Sequence, residues 1–65
     1  MLDSPFNIGQ LLVRESDYQI ATIDRIDFRN GAWRFLVSID AERIWMAEST
    51  IRHQGFVPIE TTYRR

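Results

Sequence analysis

The apolar residues fall into short runs, several alternating with polar neighbours, and turn-forming residues separate them. That period-two pattern predicts strands rather than helices. The strongest local signal is Asn30-Gly31, set between two apolar runs. Both residues accept positive φ, which a two-residue type I′ hairpin turn requires. Counting outward from that turn places Arg29 opposite Ala32, Phe28 opposite Trp33, Asp27 opposite Arg34 and Ile26 opposite Phe35. One face then carries Ile26, Phe28, Trp33 and Phe35. The other pairs Asp27 with Arg34, an opposite-charge cross-strand pair of the kind that contributes about 0.2–1 kcal/mol.

Farther from the turn the parity breaks. Trp33, Phe35, Val37 and Ile39 stay in phase, but Ile23 and Ile26 lie three apart on the outgoing strand. One extra residue near Asp24-Arg25 restores Ile23 to the core face. This predicts a β-bulge there, the device that bends strands in small barrels. The alternative is an irregular core with Ile20 and Thr22 turned inward.

Before the hairpin, Met1 to Asn7 reads as a lead-in, with a turn at Asp3-Ser4-Pro5 and with Phe6 and Ile8 available to pack on the domain. Gln10 to Glu15 reads as the first strand, with Leu11 and Val13 on one face, and Ser16-Asp17 ends it. After the hairpin, Asp40-Ala41-Glu42 reads as a turn. Arg43 to Met46 reads as a strand with Ile44 and Met46 on one side and Trp45 on the other. Ala47 to Ile51 suits a single 3₁₀ turn with Ile51 packed inward. Gly55 to Ile59 reads as a short last strand, confined to an edge or a strand end by Pro58. Residues 60–65 form a polar tail.

This order resembles the SH3-like small barrels, a superfamily that includes Tudor and KOW modules. The resemblance is carried by Ile8-Gly9-Gln10-Leu11-Leu12-Val13, by Ala21-Thr22-Ile23, and by Ile44-Trp45-Met46-Ala47-Glu48-Ser49-Thr50-Ile51. In many such barrels a strand ends in a small residue and an acidic-Ser pair, then enters a 3₁₀ turn closed by Leu or Ile. The resemblance implies an all-β SH3-like barrel of about five antiparallel strands over residues 8–59, between the 1–7 lead-in and the 60–65 tail. It implies little about activity, because such folds host many functions. Tyr18, Trp33 and Trp45 are aromatics of the type a methyl-lysine cage uses, but their spacing does not make them converge. Plasmid-encoded dihydrofolate reductases use the same barrel, with Val-Gln-Ile-Tyr on the active strand. Here Glu42-Arg43-Ile44-Trp45 lacks the Gln, so that activity is not carried over.

Composition narrows the picture further. Sixty-five residues make one domain, and a chain this short buries only roughly 60% of its unfolded surface. Without cysteine there is no disulfide, and a reducing cytoplasm is expected. One histidine and no cysteine exclude a zinc-finger site, so neither metal nor cofactor is expected. No apolar run approaches the ~20 residues of a membrane helix, and no signal peptide is seen. The eight basic residues are all arginine against nine acidic ones, for a net charge of −1. That balance lacks the strongly basic character that draws nucleic acids.

No catalytic constellation is expected. His53 is the only histidine, and its sequence neighbours Glu48 and Ser49 do not by themselves make a triad, which is set by spatial geometry. The better candidates are aromatic. Trp45 has the parity opposite to Ile44 and Met46, so it is expected to face outward beside Arg43, the composition of a binding hot spot. The alternative packs Trp45 under the lead-in against Phe6. Trp33 has core parity but lies near the hairpin tip. The expected function is therefore a non-catalytic protein-binding module. A protein partner or a second copy of the chain would dock on Trp45, Arg43, Tyr18 and Trp33. The alternative is nucleic-acid binding through arginines and stacking aromatics, which the net charge disfavours.

Overall fold

Asn30 and Gly31 have φ of 54° and 75°, so both central residues of the hairpin turn are left-handed as a type I′ turn requires. The strands it joins are β2 (Gln19–Arg29) and β3 (Ala32–Ile39). In the computed structural model, which describes residues 4–59, their register is the one counted from the turn. Arg29 faces Ala32, Phe28 faces Trp33, Asp27 faces Arg34 and Ile26 faces Phe35. The register then shifts between Ile23 and Arg25, leaving Asp24 as the extra residue of a bulge. Ile23 returns to the core and is fully buried. The alternative with Ile20 inward is not adopted, since Ile20 is exposed.

The remaining elements are β1 (Leu11–Arg14), β4 (Glu42–Ala47), α1 (Glu48–His53) and β5 (Phe56–Pro58). All strand pairs are antiparallel, in the order β4-β3-β2-β1-β5. This is one five-stranded sheet with two ends, not the closed barrel expected from the sequence. The chain leaving β4 enters α1 directly, and α1 packs against β3, β4 and β5. A helix thus contacts both end strands, where closure would pair them with each other.

That helix is a correction in kind. Ala47 to Ile51 suits a 3₁₀ turn by sequence, but an α-helix runs from Glu48 to His53. The longer element lets Arg52 Nε donate to Glu48 Oε2 at 2.9 Å, one helical turn away. Glu48 in the first turn and Arg52 in the last also suit the helix dipole. Ile51 packs inward and is fully buried, as expected.

The core comprises Phe6, Leu12, Ala21, Ile23, Phe35, Val37, Met46, Ile51 and Phe56. No polar side chain is buried among the described residues. Two positions correct the sequence reading. Leu11 and Val13 do share a face, but Leu12 is the buried residue, because Leu12 pairs with Ala21 on the core side. Phe6 and Ile8 also part company. Phe6 is 0% exposed and meets Phe35 edge-on with ring centroids 5.1 Å apart, whereas Ile8 is 67% exposed. Backbone bonds fix the entering chain. Gly9 N–H donates to the Ile23 carbonyl at 2.7 Å, and Asn7 N–H donates to Gln10 Oε1 at 2.8 Å. The Ser4 hydroxyl donates to the Phe6 carbonyl at 2.7 Å. The expected turn at Asp3-Ser4-Pro5 begins outside the described residues, and the 60–65 tail lies outside them entirely.

β5 is short, ends at Pro58, and occupies one end of the sheet beside β1, as that proline demands. β4 occupies the other end.

Candidate functional site

The face of β2, β3 and β4 away from the core carries the candidate site. Residues directly opposite one another in an antiparallel pair point to the same side. The β2–β3 and β3–β4 registers therefore define rows across three strands. Arg25, Leu36 and Trp45 form one row, and Asp27, Arg34 and Ala47 form the next. Thr22, Ser38 and Arg43 form a third. Trp45 is 43% exposed, while its row neighbour Leu36 is only 8% exposed although it faces away from the core. An aliphatic floor thus lies beside a half-open indole, ringed by guanidinium groups.

Charge on this face is unevenly distributed. Arg43 Nε lies 3.4 Å from Asp24 Oδ2, so the bulged residue points its carboxylate at β4. Arg29 lies 3.3 Å from Asp27, its same-face neighbour two residues back. The expected Asp27–Arg34 cross-strand ion pair does not form, although the two residues are in register. Asp27 turns to Arg29 instead. Among the described residues, no carboxylate lies within ion-pair distance of Arg25 or Arg34. Four arginines against two aspartates give this face an excess of positive charge in a chain whose total is −1. Asp27, Arg29, Arg34 and Trp45 line a shallow depression of about 280 Å³.

The four residues singled out by sequence do not form one cluster. Trp45 and Arg43 share the outer face of β4, as their parity requires. The alternative of Trp45 packed on Phe6 is excluded, because Phe6 packs against Phe35 on the core side. Trp33 lies on that core side too, half-buried, with its ring 4.6 Å from that of Phe28. Its contact is the cross-strand aromatic pair of the hairpin, not the outer face. Tyr18 sits in the β1–β2 turn with φ of 58° and is 79% exposed. It precedes Arg25 by a strand length of about 20 Å at ~3.3 Å per residue. Trp33 and Tyr18 therefore do not join Trp45.

Leu36, Arg34 and Arg25 are site residues that the sequence alone did not bring forward. A signal for them existed. Treating Asp40-Ala41 as a two-residue turn, with β4 starting at Glu42, pairs Ile39 with Glu42 and so Leu36 with Trp45. Asp40, with φ of 55°, supplies the left-handed residue of that turn.

Elsewhere, Arg14 and Asp17 make a bidentate pair at 2.9 and 2.8 Å across the turn that holds Tyr18. The Arg14 guanidinium, with the Gln19 backbone N–H, holds the Asp17 carboxyl below its ordinary range. The hydrogen bond to Asp17 likewise raises Arg14. Ser49 and His53 lie one turn apart on α1 and line a shallow depression with Thr50 and Gln54. The described residues contain no cluster of three metal-ligating side chains and no helix long and apolar enough to cross a membrane.

No family model, no curated protein and no solved structure matches this chain.

Proposed function

We propose that this protein is a non-catalytic protein-binding module of adaptor or regulatory type. Its docking surface is the outer face of β2–β3–β4 around Trp45. The observation that carries the reading is the row Arg25–Leu36–Trp45, flanked by Arg34. It combines a half-exposed indole and an aliphatic floor with two guanidinium groups that have no carboxylate partner among the described residues. Aromatic and arginine side chains around a desolvated centre are the composition of binding hot spots. Unpaired guanidinium groups make bidentate bonds to carboxylates. The partner is therefore a protein segment that sets an apolar side chain on Trp45 and Leu36 and a carboxylate on Arg34 or Arg25.

We read the scaffold as an opened relative of the SH3-like small barrels. The bend at Asp24, the strand order and the helical turn before the last strand support this. A cysteine-free chain suits work in a reducing cytoplasm.

Panning a displayed random peptide library on the wild-type protein tests the reading. Enriched sequences are expected to place Asp or Glu near an aliphatic or aromatic residue. Trp45→Ala and Arg34→Glu should each abolish that enrichment. Sequences without acidic bias, or unchanged enrichment on Trp45→Ala, would overturn it.

The arginine excess on the same face favours a second reading, single-stranded nucleic acid with bases stacked on Trp45. Asp24 and Asp27 within the face oppose phosphates, and Leu36 offers them nothing. Steeply salt-dependent oligonucleotide binding that is lost in Trp45→Ala would favour this second reading over the first.

A further inference from the structure

Among the described residues, β4 is the one end strand long enough to accept another strand along its length. At the other end β5 has three residues and finishes on Pro58, which lacks a backbone N–H. β4 has six residues with no proline, bulge or lysine, and its charged side chains, Glu42 and Arg43, both lie at its start, leaving Ile44 to Ala47 uncharged. Its first four residues are exposed, and it presents an apolar side chain on each side of the sheet. Ile44 on the core side is 44% exposed, and Trp45 is half-exposed on the outer side.

We infer that a second copy of the chain occupies this edge, with β4 pairing antiparallel to β4 about a two-fold axis at Ile44. A two-fold axis between antiparallel strands pairs a residue with itself, and the possible centres are few. Centring on Arg43 sets two like charges opposite each other, which is unfavourable. Centring on Trp45 sets Arg43 against Ala47 of the second copy, where the chain turns into α1. Centring on Ile44 avoids both. Ile44 then meets Ile44 of the second copy on the core side. On the outer side Arg43 lies opposite Trp45 of the second copy, and this contact occurs twice. An arginine directly across from an indole is within cation–π range. The exposed residues of β4 other than Glu42 are thereby satisfied, and a domain with little core gains an interface. Two outer faces join into one continuous surface with the two Trp45 side chains near its centre.

The inference concerns the backbone edge and goes beyond the peptide-docking reading, and one variant separates them. Ile44→Lys places two ammonium groups at the axis but leaves the outer face unaltered. Sedimentation equilibrium of the full chain is expected to give the mass of two copies for wild type and of one copy for Ile44→Lys. Circular dichroism should show the variant folded, and it should still enrich acidic peptides if that reading holds. A second measurement uses the absence of cysteine from the chain. Ile44→Cys is expected to form a disulfide dimer on mild oxidation. Trp45→Cys should not, because its Cα atoms stand beyond the ~7 Å a disulfide spans. A one-copy mass for wild type, a two-copy mass for Ile44→Lys, or equal cross-linking of both cysteine variants would overturn the inference.

Discussion

Phe6 lies five residues before β1, yet it is one of the largest fully buried side chains. Phe6→Ala removes its ring from an edge-on contact with Phe35 at 5.1 Å. It also removes the surface over which Arg52 lies, 5.3 Å from the ring centre. Replacing a buried phenylalanine with alanine costs about 3–5 kcal/mol, including the cavity left behind. A domain of this length has a total stability of about 3–10 kcal/mol at 0.05–0.15 kcal/mol per residue. The loss is thus comparable to the whole. With a urea dependence of about 1 kcal/mol per molar, expected for so small a protein, the midpoint should fall by about 3–5 M. Otherwise the variant should be unfolded in buffer. Urea titration followed by tryptophan fluorescence and by circular dichroism measures this. Ile8→Ala serves as the control, because Ile8 projects into solvent and its loss should stay within about 0.5 kcal/mol. Equal, small effects from both variants would refute the placement of Phe6 in the core.

Four further outcomes follow from the same structure. Leu12→Ala should cost about 2–5 kcal/mol in urea titration, whereas Leu11→Ala should cost well under that, since only Leu12 faces the core. Deleting Asp24 removes the bulge and forces either Ile23 or Ile26 off the core face. It should cost at least about 2 kcal/mol by the same titration, far more than Asp24→Ala, and comparable melts for the two would count against the bulge. Gly31→Ala meets no atom within 4 Å but keeps a φ of 75°, so it should lower stability by about 1–2 kcal/mol through backbone strain alone. The Asp17 carboxyl is held below its ordinary range by Arg14, so its contribution is present above the unfolded carboxylate range. That contribution is lost as pH falls through the lower folded value. Acid unfolding of Asp17→Asn should therefore show a shallower pH dependence than wild type in that window, and identical profiles would remove the claim.

Local chemistry in the sequence was enough for the turn and the register of the hairpin, though not for the Asp27–Arg34 ion pair, since Asp27 turns to Arg29. Asn30-Gly31 admits few turn geometries, and the turn sets the register of its strands. Parity then exposed the bulge at Asp24, because one residue too many cannot be hidden in a period of two. The same parity put Trp45 outward. It failed in β1, where three consecutive apolar residues offer two alternations. Only the pairing of Leu12 with Ala21 chose between them. It also failed for the lead-in, whose Phe6 reaches the core through a loop without periodicity.

The open sheet was likewise a tertiary decision, since helix α1 contacts both end strands. The candidate site shows the same division. Outward residues on separate strands become a row only when two registers are combined. Leu36 is buried on the outer face because Arg25 and Trp45 flank it, and nothing in its own segment says so. Period and turn chemistry are local and legible in the sequence. Which strands meet, and therefore which outward residues become neighbours, depends on contacts between segments distant along the chain.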